Sequence, residues 1–299
     1  MKILNFGSCN IDYVYSLDHI VVPGETQATH ALSVFPGGKG LNQSIAVARA
    51  GIEIFHAGCI GTDGELLLSI LTENGVNVTH LRRVNEKNGH AIIQVSDKGE
   101  NSIFLYPGSN FMIEKEDIDR VLSHFDAGDI LLLQNEISGV EHLIRQAAAR
   151  GMCVVFNPAP FTEDLRDLDW NLVSYLILNE VEIGQLTSIT EAERALQTLS
   201  SRCPRLKIVL TLGARGGIYK DASHELPYSA YSVTAVDTTA AGDTFTGYFV
   251  AGIAKEKSIE ENLRDAAAAS AIAVTRMGAA PSIPTYDEVA HTLPSLRFS

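Results

Sequence analysis

The chain has 299 residues, 45% hydrophobic and 20% charged, which fits a soluble globular protein with a sizeable core in one large α/β domain or two smaller ones. A formal net charge of −13 argues against a nucleic-acid partner, which wants a basic face, but leaves room for an anionic substrate at a locally positive site. No run of about 18 apolar residues exists, and "MKILNFGSCNID" enters a strand pattern without a signal peptide's apolar stretch, so no membrane contact and a cytoplasmic location are expected.

In chain order, "ILNFGSCNID" reads as a strand running into a polar turn. "THALSVF" (29–35) alternates with period two. Residues 39–51 are helical, opened by glycines and closed by Gly51. "GHAIIQVSDKGENSIFLYPG" (89–108) alternates again, with Lys98-Gly99 at the middle of a hairpin. Strands polar on one face do not belong in a doubly covered parallel sheet, so these segments imply a small antiparallel sheet that projects and covers something.

From about residue 126 the texture changes. "DILLLQN" is a continuous apolar strand, "VEHLIRQAAARG" an amphipathic helix, and "CVVFNPAP" a strand cut off by prolines. "LVSYLILN" and "KIVLTLG" are further strands, with the helical "EAERALQTLSSR" between them. This βαβα alternation implies a parallel sheet with helices on both faces. An apolar, strand-like run from Tyr231 to Val236 stops at Asp237, and the Ala-rich segment 262–278 is a late helix. Cys9, Cys59, Cys153 and Cys203 form no CxxC pair and read as reduced, small hydrophobic residues. The nine histidines fall in no catalytic or metal-binding pattern and read as surface or core residues.

Two stretches carry chemistry. In "AVDTTAAGDTFTG" (235–247), Asp243 precedes Phe245, Phe249 and Ile253 at helical spacing. A helix start exposes backbone N–H groups at the positive end of the macrodipole, and Ala240, Ala241 and Gly242 are small enough for a phosphate oxygen to approach them. A carboxylate there repels an anion, but it suits a base that takes a proton from an attacking hydroxyl. An ordinary helix with a favourable first-turn acid is the competing reading. "FPGGKGLNQSIAVARAG" (35–51) again opens a helix with glycines, yet it contains neither a P-loop nor G-x-G-x-x-G. It is either a basic turn or a polyol site built from exposed N–H groups, Lys39 and Asn42.

The pairing of Gly37-Gly38-Lys39-Gly40-x-Asn42-Gln43 with Asp237-Thr-Thr-Ala-Ala-Gly-Asp243-Thr-Phe closely resembles the ribokinase-like sugar kinases, the phosphofructokinase B family, across essentially the whole chain. The resemblance implies a single domain over 1–299: a doubly wound, mainly parallel sheet flanked by helices, with a small antiparallel β-sheet lid formed by about 13–36 and 88–108. It implies phosphorylation of the 5-hydroxyl of D-ribose by ATP with Asp243 as catalytic base and an anion hole at Ala240, Ala241 and Gly242. Sugar ligands would be Asn10, Asp12, Gly38, Lys39, Asn42, Glu136 and Asp243. ATP would contact Asn179, Glu182, Thr211, Gly213, Gly216, Ala241 and Gly242, with Asn179 and Glu182 placing Mg²⁺ through water. A K⁺ loop would draw on Asp237, Thr239, Ala273, Arg276, Gly278 and Ser282, mostly through main-chain oxygen, and two copies would pair as a homodimer through the lid. A kinase for fructose, a keto-deoxy acid or a nucleoside stays open, as does a catalytically silent sugar-binding regulator on the same fold.

Overall fold

The computed structural model describes residues 1–298. Among these described residues the chain builds two sheets and nine α-helices. The larger sheet contains β1 (Ile3–Phe6), β4 (Phe55–Ile60), β5 (Asn77–Arg83), β8 (Ile130–Gln134), β9 (Cys153–Asn157), β10 (Tyr175–Asn179), β11 (Lys207–Thr211), β12 (Gly217–Lys220) and β13 (Glu225–Tyr228). Their spatial order is β13-β12-β11-β10-β9-β8-β1-β4-β5; seven strands run parallel, and the pairings β11–β12 and β12–β13 are antiparallel.

The central strands are apolar throughout because both faces are covered. Ile130, Leu132, Val155, Ile177 and Val209 pack on one side against α1 (Lys39–Arg49), α2 (Glu65–Glu73), α7 (Ala241–Ala254), α8 (Ile259–Ala273) and α9 (Tyr286–Thr292). Their neighbours Leu131, Leu133, Val154, Phe156, Leu176, Leu178, Ile208 and Leu210 face α3 (Lys115–Leu122), α4 (Val140–Ala149), α5 (Glu180–Thr187) and α6 (Ala192–Arg202). This is the period-two alternation of a strand read by two cores. The chain winds from β1 outward to β5, then from β8 outward to β13, so the direction reverses between β1 and β8. Loops leaving the carboxyl ends of these two strands diverge there and open a crevice.

The smaller sheet has the order β3-β2-β6-β7, from β2 (Asn10–Leu17), β3 (Ala31–Gly37), β6 (Gly89–Ser96) and β7 (Asn101–Tyr106). Its two outer pairings are antiparallel, whereas the central β2–β6 pairing is parallel. The Lys98-Gly99 turn sits between β6 and β7, with Gly99 at φ +80°.

Three local expectations change. Asn10 and Asp12 do not lie in a turn; they open β2 directly after β1. The run Tyr231–Val236 makes a single bridge, from Tyr231 to Phe298, and no strand. Its end is drawn aside because the Val236 and Asp237 N–H groups both donate to the Val274 carbonyl. The late helix starts at Ile259, where the Ser258 side chain caps the Glu261 N–H, and ends at Ala273, after which the chain turns. Among the described residues, no helix is long and apolar enough to cross a membrane. All four cysteines are free.

Candidate active site

The crevice between β1 and β8 is spanned by one short bond, from Ser8 Oγ to Glu136 Oε2 at 2.5 Å. The same carboxylate oxygen accepts the Lys39 N–H (2.9 Å), and Ser8 Oγ accepts the Gly40 N–H (3.1 Å), so Glu136 and Ser8 satisfy the start of α1. The helix can come this close only because residue 40 is glycine: a Cβ there would lie 2.3 Å from the Ser8 nitrogen.

Asp243 sits in the first turn of α7 and is buried. Both oxygens are held from α1: Asn42 Nδ2 donates to Oδ2 (3.0 Å) and Gln43 Nε2 to Oδ1 (2.9 Å). Asn42, expected as a sugar ligand, thus has its amide on Asp243, while its own Oδ1 is buried without a partner among the described residues. Ala240 adopts a left-handed φ of 59° and turns the chain into α7. Ala241 N–H is spent on the Thr238 carbonyl (3.2 Å), but the Gly242 and Asp243 N–H groups have no acceptor among the described residues. The space over Gly242 is open for 4 Å around an added Cβ. Of the three residues expected as an anion hole, Ala241 offers small size more than a donor, and the unpaired N–H groups are those of Gly242 and Asp243.

These groups line a cleft of about 230 Å³ that also includes Lys39, Asn157, Asn179, Glu182 and Thr211. Lys39 is held above its ordinary pKa by Asp243, with Glu136 and Glu182 adding to the same effect against burial. Burial pushes both Glu136 and Glu182 up, and Lys39 pulls both back. Three carboxylates thus share one ammonium, a balance suited to an additional cation accompanying phosphates. Asn179 and Glu182 form a reciprocal capping box at the start of α5: Asn179 Oδ1 accepts from Val181 and Glu182 N–H, and Glu182 Oε2 accepts from Asn179 N–H. Their structural role and their place in the cleft coexist.

A second, mainly apolar cavity of about 420 Å³ adjoins the first and shares Thr211, Thr238, Ala241 and Gly242 with it. Gly213 and Gly216 form its turn after β11, and Tyr228, Tyr231, Val233, Phe245 and Ala271 complete the wall. Gly216 has φ +81°, and a Cβ there would lie 2.0 Å from the Tyr228 carbonyl oxygen. Among the described residues the Tyr228 hydroxyl is buried without a partner, which suits a ligand with both an apolar surface and polar edges.

On the smaller sheet, Asn10 Oδ1 accepts from Asn110 Nδ2 (2.7 Å). The Asp12 carboxylate makes no hydrogen bond among the described residues; burial, then the nearby Glu136 charge, raises its pKa to about 7. Its carboxylate lies against Gly37, where a Cβ would come within 2.1 Å of it. Asp12 shares its cross-strand row with Phe35, Ala91 and Leu105.

The 237–282 region also folds together in part. Asp237 Oδ1 accepts from the Thr239 N–H and hydroxyl, and Oδ2 from the Gly278 N–H. Burial works upward on this carboxyl, yet those three donors hold it below its ordinary range. The Arg276 side chain turns away to Glu288, and Ser282 Oγ donates to the Ala279 carbonyl, which leaves mainly backbone oxygens for a cation from these two residues.

A buried amide network beneath Asp243 was not anticipated from the sequence. Gln43, Gln134, Asn5 and Asn157, from α1, β8, β1 and β9, meet there. Only Gln43 lay within a recognised motif, and no role attached to it.

A sheet reversing at β1/β8, with a buried first-turn carboxylate lining a polar cleft, is a doubly wound fold with a crevice at its switch point. Residues 1–286 match the pfkB family of carbohydrate kinases, and the chain belongs to that family: it is a phosphotransferase acting on a sugar hydroxyl. A ribokinase of Haemophilus influenzae is 36% identical over 291 residues, covering 94% of this chain and 95% of that protein. The ribokinase structure from Thermotoga maritima superposes with a TM-score of 0.90 at 36% identity, covering 98% of this chain and 99% of the other. The ribokinase of Arabidopsis thaliana complexed with ribose and ATP gives 0.86 at 29% identity, covering 98% of each chain.

Proposed function

We propose that the chain transfers the γ-phosphoryl group of ATP to the 5-hydroxyl of D-ribose, giving D-ribose 5-phosphate and ADP. The observation that carries this reading is the placement of Asp243: held through both oxygens, buried in the polar cleft, with its own N–H and that of Gly242 free beside the residues the two cavities share. Asp243 takes the hydroxyl proton as the O5–P bond forms, and the bond from phosphorus to the β,γ-bridging oxygen breaks with its electron pair leaving on ADP. The Gly242 and Asp243 N–H groups, joined by Lys39, stabilise charge on the transferring group. The apolar cavity takes the adenosine, with Thr211, Gly213 and Gly216 at its turn. Asn10, Asp12 and Gly38 orient the sugar from the opposite wall, with Glu136 at the crevice. Mg²⁺, when bound, neutralises phosphate charge, and Asn179 and Glu182 would hold it through water. Asp237, Thr239, Ala273, Arg276, Gly278 and Ser282 would hold K⁺, an oxygen-rich set that suits a hard cation.

An ADP-release assay across ribose, fructose, a keto-deoxy acid and a nucleoside, run in potassium and in sodium buffer, tests both substrate and ion. Ribose should give at least tenfold the kcat/KM of the others, with higher rates in potassium. A stronger response to another acceptor would overturn ribose, and no sugar-dependent release would identify a silent binding protein. Equal rates in the two buffers would remove the K⁺ assignment.

The smaller sheet would act as a lid that excludes water from the cleft. Leu32, Val34 and Phe104 are exposed on one face, and Phe35, Ile103 and Leu105 on the other. So much apolar surface on a thin sheet suits coverage by the sheet of a second copy. Sedimentation velocity should show a dimer that Phe104→Asp shifts toward monomer; a monomeric wild type at micromolar concentration would reject this pairing.

A further inference from the structure

We infer that Gln43 is a positioning residue for Asp243, its orientation dictated by a chain of buried amides that ends on two backbone carbonyls. The inference rests on the reading of Asp243 as the base. A carbonyl oxygen only accepts, so each amide touching one must present its nitrogen there. Asn5 Nδ2 donates to the Gly40 carbonyl (2.7 Å), which turns Asn5 Oδ1 toward Gln134. Gln134 Nε2 therefore donates to Asn5 Oδ1 (3.1 Å) and to Gln43 Oε1 (2.6 Å). With its oxygen so occupied, Gln43 must direct Nε2 at Asp243 Oδ1.

A second anchor imposes the same answer. Asn157 Nδ2 donates to the Ile177 carbonyl (2.9 Å), so Asn157 Oδ1 is left to accept from Gln43 Nε2 (3.2 Å). Asn5 and Gln43 are 0% exposed and Gln134 1%, so bulk solvent offers no alternative partner; Gln134 Oε1 already has none among the described residues, and a flipped amide would leave further polar atoms unpaired. The arrangement leaves one state for Gln43: a donor fixed on Asp243 Oδ1, which holds that carboxylate in one orientation beside the cleft. The charged groups facing Asp243 are Lys39 of α1, Glu136 after β8 and Glu182 of α5.

The test compares kcat against pH for Gln43→Glu and wild type, with Asp243→Asn as control. In Gln43→Glu two carboxylates meet across the former hydrogen bond and share a proton. The acid limb of the profile should move up by at least one pH unit. On that limb activity should fall by up to about tenfold for each pH unit the limb moves and recover toward wild type near pH 9, with the sugar KM within threefold. A merely structural residue would lower kcat evenly across pH, and that result, with Asp243→Asn inactive, overturns the positioning role while leaving the base in place. An active Asp243→Asn would instead remove the base assignment itself. If Gln43→Glu gives no cooperative melt, hydrogen exchange of the Gln43 side-chain amide in the wild type decides. Exchange at least 100-fold slower than a free amide supports the network, and exchange at the free rate overturns it.

Discussion

Asp243→Asn should lower kcat by about three orders of magnitude while the sugar KM changes only a few-fold, since a positioned general base contributes roughly 10²–10⁴ in rate. The substitution keeps the volume but removes the group that accepts the proton. It also brings an amide nitrogen against one of two fixed donors, Asn42 Nδ2 or Gln43 Nε2. Leaving one buried donor without its acceptor costs about 1–3 kcal/mol, so the variant should melt below wild type as well as turn over slowly. Steady-state kinetics with a thermal melt separates the two effects: the melt reports the lost hydrogen bond and kcat the lost base. A variant that loses stability but keeps kcat within threefold would place proton removal on another group.

The placement of Asp243 was legible in the sequence because its cause is local. Small residues precede a helical apolar period, and the same signal set Lys39 at the start of α1. The buried support was not legible, since Asn5, Gln134 and Asn157 stand at or near the ends of three strands in two separate stretches of chain. Each reads singly as a polar residue beside an apolar run, and only the parallel order β9-β8-β1 brings them under one helix. Tyr231–Val236 failed in the opposite sense: an apolar run read as strand is apolar because it walls a cavity, with its last N–H groups spent on Val274. The parallel β2–β6 pairing was likewise invisible, because period-two alternation reports which face is buried and not strand direction.

These two kinds of legibility give the site its division of labour. Locally encoded groups line the two cavities: the first turn of α7, Lys39 of α1, the turn after β11. Groups encoded only by topology hold the cavity-lining Asp243 from below, through Gln43. Glu136 belongs to both, since it satisfies the start of α1 while facing the crevice.

Asp12→Asn should raise the protein's melting temperature at pH 8 while weakening ribose binding by about 10–100-fold. The carboxyl has no hydrogen-bond partner among the described residues, and burial with the Glu136 charge lifts its pKa from 3.8 to about 7. Folding therefore favours the protonated form, so the penalty on the folded state is full above about pH 7 and vanishes as pH falls through the unfolded value of 3.8. At 1.36 kcal/mol per pH unit the shift corresponds to at most about 4 kcal/mol, and partial solvent access brings this nearer 2. Asparagine carries no such penalty, and its advantage in melting temperature should close between pH 7 and pH 4. The same ionisation makes Asp12 useful to a sugar, because a carboxylate accepts two hydroxyl hydrogen bonds worth roughly 1.5–3 kcal/mol each before desolvation is counted. Wild-type affinity for ribose should accordingly weaken as pH drops below 7, by up to about tenfold per unit, and that dependence should disappear in Asp12→Asn. Calorimetric titration of ribose from pH 5.5 to 8.5, beside melts at the same pH values, measures both arms. Equal ribose affinity in the two proteins would remove Asp12 from the sugar site, whereas a lost affinity without the gain in stability at pH 8 would mean the carboxylate is stabilised by something other than the sugar.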